Sequence, residues 1–216
     1  MSGTAKGQTL FDLSGGHPAL DLVNSLDNRF RADGPNENLV HYGDLLRFLE
    51  ESGLLDARGA RTLKTGVSGD EAAEQALRSV RELREATARV FYAAIEERTP
   101  EPADIRTLER HFIEASGHRE LRWEPVKQNP ANPDAQAYIA WRWPSETDPN
   151  LPVWILSQSV SDLLLSNNAS QIRTCAVDTC RWLFLDTSKN HSRRWCNMKV
   201  CGNRMKARRF QARRDS

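Results

Sequence analysis

Four cysteines, Cys175, Cys180, Cys196 and Cys201, stand close to the end of a 216-residue chain, and none precedes them. Four residues separate the members of each pair, and fifteen separate the pairs. Disulfides used as general staples would be spread along the chain, and a reducing cytosol would not maintain them, so the clustering points to a local task. Two symmetric pairs at this distance have the layout of a four-thiolate zinc site, although four intervening residues lie at the wide end of the usual spacing. A redox pair ordinarily has C-x-x-C spacing, and an iron–sulfur cluster could use the same four thiolates. His191, in the turn between the pairs, could replace one cysteine.

The residues between the pairs favour zinc. RWLFLD (181–186) alternates apolar and polar positions, TSKNHS reads as a turn, and RRWC returns as a second strand. Such a hairpin brings the two pairs together, and the second pair then runs into the helix GNRMKARRFQARR. Knuckle, hairpin, knuckle and helix is the order of a treble-clef-like zinc finger. A segment of roughly 45 residues is near the size at which an apolar core alone seldom holds a fold, and a metal supplies the missing free energy. Four thiolates close the tetrahedron and leave no position for water, so the expectation is one structural Zn(2+) per chain.

The charge divides at the same place. Residues 171–216 hold nine Arg and three Lys against three Asp, a net charge of +9, while the whole chain carries +1. An acidic body with a basic tail suggests a polyanionic partner. Arg193, Arg194, Arg204, Lys206, Arg208, Arg209, Arg213 and Arg214 crowd around the last strand and helix, where they are expected to contact DNA phosphates or guanine edges. Met205 and Phe210 read as packing residues. The alternative is a protein-interaction or RNA-binding zinc module without sequence-specific DNA readout.

Residues 9–166 read as a mostly helical domain with one small β-hairpin, making the fold class α+β. A short strand is expected over 9–16 and helices over His17–Phe30 and Tyr42–Leu54. A capping box at Ser68 and Glu71 opens a helix running to about Arg98, and Thr99–Pro100 start another that ends at Gly117. ELRWEPVK and AYIAWRWP form the hairpin, with Trp123, Trp141 and Trp143 covering the helices. VWILSQSVSDLLLS is a last apolar helix, and SNNASQ is the linker to the second domain, 171–214. No stretch approaches the ~20 apolar residues of a membrane span. With no apolar leader at the N-terminus, the expected setting is cytoplasmic.

"CAVDTCRWLFLDTSKNHSRRWCNMKVCGNRMKARRFQARR" resembles the CGNR zinc finger, whose tetrapeptide stands here as Cys201-Gly202-Asn203-Arg204. "FDLSGGHPALDLVNSLDNR" is similar to the opening of the ABATE domain that commonly precedes that finger. The resemblance implies a stress-induced transcription regulator, zinc ligands at all four cysteines, and DNA bound through the positive residues. Nothing in 9–166 has the pattern of an enzyme: there is no P-loop and no Rossmann glycine pattern. His17, Asp21 and Asn24, following Gly15-Gly16, are the candidate ligand site. This part is expected to sense a small-molecule effector, bind a protein partner or form a homo-oligomer.

Overall fold

The computed structural model describes residues 11–66, 70–124 and 138–214. Proline at the first turn opens α1 (Pro18–Asn24), and the His17 ring accepts the Ala19 N–H at 3.2 Å. The helix is shorter than its apolar spacing suggests. The Asp27 carboxylate takes the Asn28 N–H, Asn28 adopts a left-handed backbone (φ 54°), and Leu26–Asp27 become β1. It pairs antiparallel with β2 (Asn36–Glu37). Residues 9 and 10 of the expected first strand lie outside the described residues, and 11–16 form no strand.

Helix α2 (Tyr42–Glu51) stops just before Gly53. Helix α3 (Ala57–Gly66) has no counterpart among the expected elements, because its buried stripe is only Ala60 and Leu63. Helix α4 (Asp70–Ile95) is the long central element; Ser68 of the expected capping box lies outside the described residues. Helix α5 (Pro102–Gly117) begins two residues late, with Pro102 rather than Pro100 in its first turn. Strands β3 (Glu120–Glu124) and β4 (Tyr138–Arg142) pair antiparallel as expected. Their tryptophans do not cover the helices: Trp123 is 67% and Trp141 52% exposed, and only Trp143 packs against the core. Helix α6 (Leu151–Leu164) follows as expected.

The core forms where α1, α4, α5 and α6 meet, around Leu20, Val80, Leu83, Leu108, Leu156 and Val160. Arg84 reaches into it from α4, and its guanidinium donates to both Glu37 carboxylate oxygens at 2.7 and 2.6 Å. That pair ties the β1–β2 hairpin to the long helix.

The expected linker is a 3-10 helix (Asn167–Gln171), capped by the Ser166 hydroxyl, which accepts the Asn168 N–H. Strand β5 (Ile172–Thr174) leaves it and pairs antiparallel with β6 (Leu183–Leu185). The hairpin therefore joins β5 to β6, not RWLFLD to RRWC. The reason is Asp186, whose buried carboxylate takes the N–H groups of Ser188 and Arg193. Arg193 thus has no N–H left for a ladder, and the return segment keeps one bond, Ala176 N–H to the Arg194 carbonyl at 2.8 Å. A π-helical turn (Met198–Gly202) leads into α7 (Asn203–Arg214). The fold is α+β, a mostly helical N-terminal region with small antiparallel hairpins followed by a four-cysteine cluster. Among the described residues, no helix is long and apolar enough to cross a membrane.

Candidate metal centre

Two tight turns present the sulfurs. In the first, the Cys180 and Arg181 N–H groups both donate to the Val177 carbonyl, at 2.8 and 3.0 Å, and Arg181 takes a left-handed backbone. In the second, the Asn197 carbonyl accepts from Cys201 and Gly202, while its side chain accepts the Lys199 N–H at 2.9 Å. A Cβ on Gly202 would stand 2.4 Å from the sulfur of Met198, an exposed and flexible side chain that would have to shift to admit it.

The four Sγ atoms all lie within 4.8 Å of one another. Cys180 to Cys196 is 3.7 Å and Cys196 to Cys201 is 3.8 Å. A tetrahedron with Zn–S bonds of about 2.3 Å has edges of about 3.8 Å, so the sulfurs already stand at the spacing the ion needs. Val177 and Phe184 are buried beside them, with Trp182, Trp195 and Met205 closing the jacket. Contacts with Cys180 and Cys196 hold the Cys175 thiol far below its ordinary range, while sulfur contacts push Cys180 and Cys196 up and burial pushes Cys201 up. By itself the cluster favours one thiolate, and a divalent cation lets four coexist. Donor set, spacing and electrostatics all fit one structural zinc.

The basic residues separate into two groups. The Arg193 guanidinium donates to the carbonyls of Trp195, Cys196 and Ser14 and stacks over Phe184 at 4.5 Å, so it braces the second turn. Arg194, Arg204, Lys206, Arg208 and Arg214 are exposed, and Arg209 and Arg213 fall on the same helix α7. Arg204, Lys206 and Arg208 pair with no carboxylate among the described residues. Lys199, in the π-helical turn, adds an exposed cation that the spacing of the arginines does not single out. Met205 packs on the cysteines as expected, but Phe210 is 64% exposed. His191 is a turn residue with φ 45°, its ring against the Asp186 carbonyl.

His17, Asp21 and Asn24 sit where the helical region meets the finger. Asn24 donates to the Leu183 carbonyl at 2.9 Å and accepts the Leu183 N–H at 3.0 Å. Asp21 accepts the Gly15 N–H at 2.8 Å, so close that a Cβ on Gly15 would stand 2.6 Å from its oxygen. Both side chains are buried. Burial raises the Asp21 carboxyl to about 7. Around them the Gly15 carbonyl accepts the Leu185 N–H, Asp27 accepts the Trp182 indole N–H, and the Tyr92 hydroxyl donates to the Arg181 carbonyl. These contacts join residues 89 or more positions apart, and no local pattern marks them.

Fold and site define a zinc-binding protein whose metal is structural. Residues 16–167 match the ABATE family model, described as "Putative stress-induced transcription regulator", and residues 171–214 match the CGNR zinc finger. The first match covers well over half of the chain, and the chain belongs to the ABATE family with a CGNR zinc finger. No curated protein matches it. Both descriptions are of regulatory or metal-binding proteins, neither of an enzyme.

Proposed function

We propose that this protein regulates transcription by binding DNA, with α7 and the turn before it as the contact surface. The observation that carries this reading is the character of α7. It touches the rest of the molecule chiefly through the π-helical turn and Met205, and its basic side chains Arg204, Lys206 and Arg208 are exposed and pair with no carboxylate among the described residues. A helix that buries so little of itself is held by the metal at its root, and its cations are available to phosphates on both sides of a groove. Arg194 and Lys199 extend the same positive surface. Arg193 is spent on carbonyl groups and serves this surface only by holding the turn.

Exposed Phe210 favours a second reading, because an aromatic ring among arginines can also stack on the bases of a single strand. Competition between duplex DNA and single-stranded RNA for the zinc-loaded protein separates the two. Preference for the duplex, with enrichment of one sequence from a random pool, supports the regulator. Preference for the single strand, abolished in Phe210→Ala, supports the alternative.

A further inference from the structure

Between the finger and the helical region lies a half-open cavity of about 250 Å³. Asp27 and Asn28 of the β1 end line it, as do Val200 and Arg204 of the finger. Three of the four cysteines also line it, namely Cys180, Cys196 and Cys201. Cys175 does not. The burial differs in the same sense: Cys180 is half-buried, whereas the other three cysteines are buried. A cavity several times the ~30 Å³ share of a water molecule admits a small peroxide.

We infer that Cys180 is a peroxide-modification site reached through this cavity, with Cys196 as its resolving partner. In the first step the Cys180 sulfur attacks the O–O bond of hydrogen peroxide. A sulfur–oxygen bond forms, the O–O bond breaks, and hydroxide leaves and is protonated to water. In the second step the Cys196 sulfur, 3.7 Å away, attacks the sulfenic sulfur and expels a second hydroxide. The two sulfurs lose two electrons in total, the peroxide gains them, and two protons complete two waters. The resulting disulfide consumes two of the four donors, and Cys175 and Cys201 alone do not close a tetrahedron. The second turn then loses its anchor, and with it the root of α7. Cys175 is screened by its burial and by its place away from the cavity.

The test uses the full-length, zinc-loaded protein, with zinc content measured first. The inference rests on the zinc centre and not on DNA binding, so a protein that ignores DNA still tests it. Hydrogen peroxide is added in the presence of a chromogenic zinc chelator, and the products are mapped by peptide mass spectrometry. The expected result is zinc release together with a Cys180–Cys196 cross-link. Cys175 stays alkylatable, and thiol reductant with zinc reverses the change. Val200→Trp, which fills the cavity from an exposed position, is expected to slow release severalfold at unchanged zinc content; Thr179→Tyr, also exposed and lining the cavity, serves if that variant does not fold. The inference is overturned by cross-links that involve Cys175 as often as Cys180. It is equally overturned by zinc release only under unfolding conditions, or by release as fast in the filled variants as in the parent.

Discussion

The carboxamide of Asn24 makes with Leu183 both hydrogen bonds that a neighbouring strand would make. Both groups are buried, so truncation leaves a donor and an acceptor without water. Asn24→Ala is expected to cost about 2–6 kcal/mol, at 1–3 kcal/mol for each of the two stranded groups, measured by urea unfolding at fixed zinc. Three residues earlier, Asp21 gives a pH signature. Its carboxyl titrates near 7 in the fold because burial disfavours the charge. An acid raised in this way contributes stability that is complete below its unfolded value and is lost as pH rises through about 7. Between pH 6 and 8 the parent should lose stability that Asp21→Asn keeps, since the amide preserves the oxygen that accepts from Gly15. His17 and His111, both lowered by burial, oppose this slope below their ordinary range, so the readout is the difference between parent and variant melting curves. A difference that does not change with pH removes the assignment. The sequence shows these polar residues beside a glycine pair but cannot show their use, because the partner of Asn24 lies 159 positions away.

Among the elements, α7 and the segment before it place arginines of opposite use within a few residues of each other. Arg208 and Arg209 follow the cysteine turn on α7, where the Arg208 side chain is exposed, whereas Arg193 lies against three carbonyls. If α7 meets phosphates, Arg208→Ala with Arg209→Ala should weaken duplex binding and reduce the slope of log K against log salt by roughly 2, near 0.9 for each phosphate no longer neutralised. Arg193→Ala should leave the slope and instead speed zinc loss to a chelator, because the carbonyls of Trp195 and Cys196 lose their shared donor. Slope measurements and chelator rates on the two variants separate anchoring from contact. Legibility followed the same physics at this scale. Helices α2, α4 and α6 bury long apolar stripes and could be read from periodicity, whereas α3 buries two residues and could not. The zinc residues were readable because a tetrahedron imposes spacing on sequence. The partner of β6 was not, since the choice between β5 and RRWC depends on where the Asp186 carboxylate turns.

For the molecule as a whole, the decisive element is β6, in which every residue is buried. Its alternation sends Leu183 and Leu185 into the core of the helical region and Phe184 into the cysteine cluster, with Ile172 of β5 joining the former. One strand is thus shared between two cores. The charge boundary at Ser166–Gln171 suggests a hinge, yet around that exposed 3-10 helix the chain is bonded across through Gly15, Asn24, Asp27 and Tyr92. Cutting the backbone at Asn168, by a protease site inserted there, removes the covalent link and leaves the shared strand. The two fragments are expected to co-elute in size-exclusion chromatography with zinc present, since separating them exposes Ile172, Leu183 and Leu185, at ~1.5–3 kcal/mol for each fully buried side chain. Chelation should part them. Without the metal the cysteine turns no longer hold Phe184 in place, and β6 must then stay ordered on the helical side alone. Fragments that separate while zinc is retained would mean that the finger stands by itself and the seam adds little. Fragments that stay together after chelation would mean that the helical region holds β6 without help from the cysteines.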